Sequence, residues 1–280
     1  MKPIVVTGYL GRLGSAIYGF LTDRGEKVFG VSRGECDLSR YDYVDSYFSQ
    51  VRPGLVFHSA AMTDVDACER EPERARLDNF VATRNVARAA SSLGARLVCF
   101  STDYVFDGTK TLPYVETDSP NPLSVYGRTK LDAEQEVGSH LDDYAILRLS
   151  WLFGAGDDFI SFLLNALREK RPLKLASEHR GSPGYIPDVV PHIWSVAKSE
   201  FRGVLHLTNR GGCTRFEMGI EILRLIGSPV EPFAATADQI GFVARRPAQS
   251  VLSCEKFEET FSEKLRSWKD ALHAYLKNSR

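Results

Sequence analysis

Three glycines constrain this chain more than any other feature in it. Thr7-Gly8-Tyr9-Leu10-Gly11-Arg12-Leu13-Gly14 follows a β-branched run, Pro3–Thr7, and opens a stretch, Arg12–Arg24, whose apolar residues recur at helical spacing. Gly8 permits the tight turn out of the strand, Gly11 removes a side chain where a pyrophosphate must approach the main chain, and Gly14 lets helix and strand pack closely. A helix beginning there presents free N–H groups and a partial positive charge to phosphate. Gly8, Tyr9, Leu10, Gly11, Arg12, Leu13 and Gly14 are therefore the expected contacts of a dinucleotide.

The rest of the first 150 residues keeps the same rhythm. Gly25 is placed to end the first helix, Lys27–Val31 reads as a second strand, and Leu55–His58, Arg96–Ser101 and Asp143–Leu149 as further strands. Helical stretches over Pro72–Ser92 and Leu123–Gly138 separate them. Short buried strands alternating with amphipathic helices pair in parallel through right-handed crossovers, which predicts an α/β doubly wound parallel sheet of the Rossmann kind. After Trp151 the rhythm loosens. Helices are predicted over Phe159–Arg168, Val189–Lys198, Arg215–Ile226 and Lys264–Leu276, a strand over Val204–Thr208, and a Gly/Pro-rich loop over Arg180–Pro187. A length of 280 residues suits about two domains. The expectation is a nucleotide-binding domain over 1–150 and a smaller lobe over 151–280, with part of 186–208 returning to the sheet.

Composition removes several function classes. Thirty-five Lys+Arg against 36 Asp+Glu leave a net charge of −1, which supplies no basic field for a nucleic-acid partner. No apolar run reaches the ~18 residues of a membrane span, so no membrane partner is expected. The five cysteines are scattered without a CxxC, and the six histidines lack ligand spacing, so neither a disulfide framework nor a metal site is expected. A reducing cytoplasm is the expected setting.

The chemistry resides in two segments. Tyr126-Gly127-Arg128-Thr129-Lys130 is the one place where a tyrosine precedes a lysine by four residues, the spacing that puts both on one helix face. Reducing a ketone requires a proton at oxygen. A phenol can deliver it, and a neighbouring ammonium stabilises the phenolate left behind. Ser101-Thr102-Asp103-Tyr104 ends a predicted strand at the carboxyl edge, where such sheets bind ligands, so a hydroxyl from Ser101 or Thr102 is placed to hold the same carbonyl oxygen. At the far end of the cofactor, the second strand closes with Ser32-Arg33 where an NAD site would carry Asp or Glu. That favours NADPH through its 2′-phosphate, with Arg12 assisting and Asp37 reaching the adenine end, and it leaves NADH open.

Taken in order, TGYLGRLG, SAAMTDVDACE (Ser59–Glu69), DNFVATRN with Asn79, STDYVFDG, VYGRTKLDAE, LRLSWLFG, GSPGYIPD and RRPAQSVL span nearly the whole chain. The sequence resembles the extended short-chain dehydrogenase/reductases, and within them the dTDP-4-dehydrorhamnose reductase family. The resemblance implies a catalytic triad of Thr102, Tyr126 and Lys130, with Ala60, Ala61, Thr63 and Asn79 joining the cofactor contacts. It implies a sugar pocket formed by Thr63, Val65, Thr102, Asp103, Tyr104, Tyr126 and Trp151, and it implies a small-molecule nucleotide-sugar substrate, with a homodimer as the assembly. Arg246 is open to two readings, a clamp on the substrate diphosphate or a structural ion pair. Two positions depart from the family pattern. His58-Ser59 replaces an Asn before the Ala-Ala pair, and Asp158 stands where Asn is frequent. A histidine at a buried strand end is expected to be structural. An epimerase or dehydratase on the same scaffold is the rival enzyme, although dehydratases place an acidic pair beside the threonine and this chain has Asp103-Tyr104. A non-catalytic regulatory subunit, like the beta subunit of methionine adenosyltransferase, is the rival outside catalysis.

Overall fold

The computed structural model describes residues 2–278. Its centre is a six-stranded parallel sheet. Strands β1 (Ile4–Thr7), β2 (Val28–Val31), β3 (Leu55–His58), β4 (Arg96–Thr102) and β5 (Tyr144–Leu149) run in the order β2-β1-β3-β4-β5, and the strand Gly203–His206 is added beyond β5. β1, β4 and β5 are buried almost throughout, as parallel strands covered by helices on both faces must be. One face packs Ile17, Leu21, Phe57, Val98, Leu147, Ile193 and Phe257; the other packs Val5, Phe48, Val56, Val86, Leu97 and Ile146. The chain leaves β1 toward β2 on one side and later crosses to β3 on the other, so the strand order reverses between β1 and β3. That reversal opens a crevice at the carboxyl ends of the strands, the place where such sheets bind ligands.

Several local expectations are corrected. The helix predicted over Pro72–Ser92 is interrupted at Arg76–Val81 by a π-helical segment, a widening that turns Asn79 inward. The stretch Arg180–Pro187 is not simply loop. Arg180–Gly181 pairs antiparallel with Cys213–Thr214, Gly184–Tyr185 pairs in parallel with Leu152–Phe153, and Pro187 falls in the first turn of the helix Ile186–Lys198. These pairings reach across more than thirty residues of chain, beyond the range of any local pattern. The last helix begins at Trp268, not Lys264. Tyr41–Val51, a helix that the sequence reading passed over, covers the sheet beside β2 and β3. A third apolar cluster, built on Phe153, Leu163, Tyr185, Met218, Ile222 and Trp268, forms the core of the C-terminal region. No helix among the described residues is long and apolar enough to cross a membrane.

Candidate active site

Two adjoining clefts occupy the carboxyl edge. The first, about 500 Å³, runs from the glycine turn to the end of β2 and is lined by Gly8, Leu10, Gly11, Ser32, Arg33, Asp37, Ala60, Ala61 and Asp78 among others. The second, about 480 Å³, shares Gly11, Ser59 and Ala61 with it and continues past Arg12, Leu13 and Gly14 to Thr63, Val65, Thr102, Asp103, Tyr104, Tyr126, Lys130, Trp151 and Arg246. Residues from the ends of β1, β3, β4 and β5 thus meet along one continuous groove.

The glycine turn has the geometry its spacing predicts. Gly8 has φ +68°, and a Cβ on it would stand 2.6 Å from the Ala60 nitrogen. A Cβ on Gly14 would stand 2.2 Å from the Gly8 carbonyl oxygen. Helix α1 (Arg12–Thr22) starts from Gly11 with no side-chain cap and no acidic residue in its first turn, so its free N–H groups and positive end face the cleft. A dinucleotide pyrophosphate fits this cradle. Tyr9 turns its ring onto Gly30 and Tyr18, away from both clefts. At the far end, Ser32 donates through its main-chain N–H and its hydroxyl to the Glu35 carboxylate, and Arg33 is tied to Asp78. Asp37 lines the cleft while accepting from the main chain and hydroxyl of Ser39.

Two further expected cofactor contacts, besides Tyr9, are placed differently. Arg12 does not join Ser32 and Arg33; its guanidinium donates to the Leu152 carbonyl at 3.3 Å, on the catalytic side of the groove. Asn79 is fully buried. Its Oδ1 accepts from Met62 N–H at 2.7 Å, and its Nδ2 donates to the Met62 carbonyl and to Thr129 Oγ1. With the amide satisfied in this way, Asn79 fixes the segment after β3 against the Tyr126 helix.

Tyr126 and Lys130 lie on one face of the helix Val125–His140, whose start is capped by Ser124. Thr102 ends β4 and accepts from the Tyr104 N–H at 3.2 Å. Burial raises the Tyr126 phenol above its ordinary value, and a hydrogen bond with Thr102 pulls the other way. Burial lowers Lys130, against which the Cys99, Glu134 and Cys68 neighbours act. In this site withdrawal of water is the largest influence on both groups, and it favours the protonated phenol. Asp103 is buried, which pushes its carboxyl up to about 6, while hydrogen bonds from Ser250 and Thr102 restrain the rise. The Ser250 bond ties this strand end to the RRPAQSVL segment.

The remaining sugar-side residues divide. Trp151 enters the cleft with φ +41°. Tyr104 packs edge-on against Tyr126, with ring centroids 6.2 Å apart. Arg246 lines the cleft, but Asp66 takes its guanidinium in a two-pronged pair at 3.0 and 2.9 Å, and Asp66 also accepts from the N–H groups of Val243 and Ala244. The structural ion pair is what the geometry contains. His58 is also structural, its ring bridging Thr7 Oγ1 at 2.7 Å and Thr83 Oγ1 at 3.0 Å. Asp158 caps the helix Phe159–Arg168, accepting from Ile160, Ser161 and Gly154 N–H groups. Among the described residues no group of His, Cys, Asp or Glu side chains is placed to hold a metal.

Sequence reasoning missed Arg215, His179, Phe159 and Phe242 in the catalytic cleft, and Glu35 at its cofactor end. Thr214-Arg215-Phe216-Glu217 carries the capping-box pattern that places Arg215 first in its helix, but no spacing rule points that side chain toward β4.

A reversed parallel sheet, an uncapped helix start behind a glycine turn, and a tyrosine–lysine pair facing a strand-end threonine define an extended short-chain dehydrogenase/reductase. Within that class, the chain belongs to the family described as RmlD substrate binding domain, whose model matches residues 1–280. Over 277 residues it is 32% identical to the spore coat polysaccharide biosynthesis protein SpsK of Bacillus subtilis (strain 168), covering 99% of this chain and 97% of that protein. It is 31% identical over 276 residues to the dTDP-4-dehydrorhamnose reductase of Mycolicibacterium smegmatis, covering 97% and 84%. Among solved structures, a dTDP-4-dehydrorhamnose reductase from Clostridium acetobutylicum superposes with a TM-score of 0.95 at 33% identity, over 99% of both chains. One from Bacillus anthracis, in complex with NADP, gives 0.95 at 28%, again over 99% of both.

Proposed function

We infer that this protein reduces the C4 ketone of a nucleotide-linked 4-keto-6-deoxy sugar, dTDP-4-dehydro-L-rhamnose, to give dTDP-L-rhamnose, with NADPH as reductant and NADH as a second one. The observation that carries this reading is the meeting of Thr102, Tyr126 and Lys130 on the wall of one groove that continues into the glycine cradle. Kinship with dTDP-4-dehydrorhamnose reductases over nearly the whole chain supplies the substrate.

A nicotinamide cofactor held by the glycine turn and the α1 N-terminus would supply hydride to C4 when bound. The chain's own residues manage the oxygen. Thr102 holds the ketone oxygen by its hydroxyl, and Tyr126, kept protonated by burial, gives its proton to that oxygen as negative charge develops. Lys130, one helical turn on, stabilises the phenolate that remains. Leu13, Gly14 and the free α1 N–H groups hold the pyrophosphate, while Ser32, Arg33 and Asp37 line the adenosine end. Thr63, Val65, Tyr104 and Trp151 enclose the sugar. In this reading residues 1–150 carry the cofactor and 151–280 mainly the sugar nucleotide. A cytoplasmic setting is part of the proposal and is supported by five free, buried cysteines.

The test is NADPH oxidation measured against a panel of 4-keto-6-deoxy sugar nucleotides, with product configuration read by NMR. Stoichiometric oxidation with the dTDP-4-dehydro-L-rhamnose substrate and a rhamnose-configured product is expected. Cofactor retained through purification and turnover without net NADPH consumption would instead place the protein among the epimerases.

A further inference from the structure

Arg215 is a cation in the catalytic cleft that no carboxylate pairs directly, although Asp103 and Asp158 act favourably on its charge through space. Among the described residues it makes no ion pair, and its Nη1 donates to the Met218 sulfur at 3.8 Å. Its guanidinium carbon lies 4.0 Å from the Trp151 ring centre and 4.7 Å from that of Phe159. Contacts with ring faces hold a guanidinium in place without using its in-plane N–H donors. Arg215 is also the first residue of a twelve-residue helix, so the positive helix end adds to the same field. Burial lowers it to about 10, which leaves it charged at neutral pH. In the same cleft His179 Nδ1 is buried without a partner. Arg246, the arginine singled out from sequence, is already neutralised by Asp66.

Arg215 is half-buried, and a partly desolvated cation without a direct ion-pair partner is stabilised by a ligand that brings a negative charge to it. In a thymidine-diphosphate sugar, the deoxy sugar and the base are neutral at pH 7, and the diphosphate bears the negative charge. We propose that Arg215, braced by Trp151 and Phe159, is the residue that recognises the substrate diphosphate and so sets the preference for nucleotide-linked over free sugar. This rests on the functional reading above and assigns its anion subsite to a residue on the C-terminal side of the groove.

The experiment measures, in the presence of NADPH, dissociation constants for dTDP and thymidine with wild type, Arg215→Gln and Arg215→Lys, alongside kcat and KM. In R215Q dTDP binding is expected to weaken by about 10- to 100-fold, the usual worth of a charge-assisted pair of hydrogen bonds. Thymidine and NADPH affinities stay at wild-type values, and the loss falls on KM rather than kcat. R215K keeps the charge but loses the planar fork, so it falls between. Should R215Q fail to fold, R215K decides by the ratio of dTDP to thymidine affinity. An unchanged ratio in the folded variant overturns the assignment. A wild type that does not distinguish dTDP from thymidine overturns the functional reading itself, which is a different result.

Discussion

The indole of Trp151 lies against the bare Cα of Gly181: a Cβ built there would stand 2.6 Å from Trp151 Cε2. The glycine sits in the two-residue strand paired with Cys213–Thr214, directly before Arg215, so one close approach sets the position of both the indole and the guanidinium stacked on it. Gly181→Ala drives the indole off this seat. The expected result is a KM for the sugar nucleotide raised about tenfold, with a stability loss of about 1–3 kcal/mol from overpacking. Steady-state kinetics and urea unfolding check it; an unchanged KM would remove Trp151 from the sugar pocket.

Tyr126→Phe removes the proton donor and leaves the ring. Turnover is expected to fall by a factor of about 10²–10⁴, the worth of a general acid, while the NADPH dissociation constant stays within about twofold. Fluorescence titration and single-turnover oxidation separate the two quantities. Near-normal turnover would assign the proton to another group.

At the cofactor's far end, the Glu35 carboxylate holds both Ser32 donors that a 2′-phosphate would use. Its pKa is lowered by the same two bonds, so it is ionised at neutral pH and repels a phosphate. Glu35→Gln is expected to tighten NADPH several-fold while leaving NADH nearly unchanged. If the two dissociation constants move together, Glu35 has no part in the choice.

His58 couples stability to pH. Burial lowers its pKa to about 3, with Lys130 adding to the effect, against 6.5 for the free side chain. Below pH 6.5 the unfolded chain takes a proton that the folded chain refuses. The stabilisation is therefore complete above pH 6.5 and lost as the pH falls toward 3, at about 1.4 kcal/mol per pH unit. His206, also lowered to about 3, behaves alike. His58→Gln should reduce the acid slope by one proton. Urea midpoints at pH 7, 6 and 5 measure it, and a slope equal to wild type would mean that the ring is charged in the fold.

Much of this protein is written locally. The glycine turn, the strands around it and the Tyr126–Lys130 spacing follow from rules that act over a few residues: hydrophobic period, backbone freedom at glycine, and the helical i, i+4 relation. For the same reason Leu55–His58, Phe159–Arg168 and Arg215–Ile226 have the bounds that their patterns predict. Asn79 shows where that reach stops. Its position was evident, but not that it lies in a π-helical segment and braces the Met62 main chain against Thr129. Two of the cleft arginines show the same limit: Arg246 is taken by an Asp66 that lies 180 residues earlier, and Arg215, to which the sequence assigns no role, stacks on Trp151 without an ion pair among the described residues. Sequence alone determined the parallel sheet, the glycine turn and the placing of Tyr126 and Lys130 on one helix face. Which charges are cancelled and which face the substrate was decided only by tertiary contacts, because neutralisation depends on distances between residues remote along the chain.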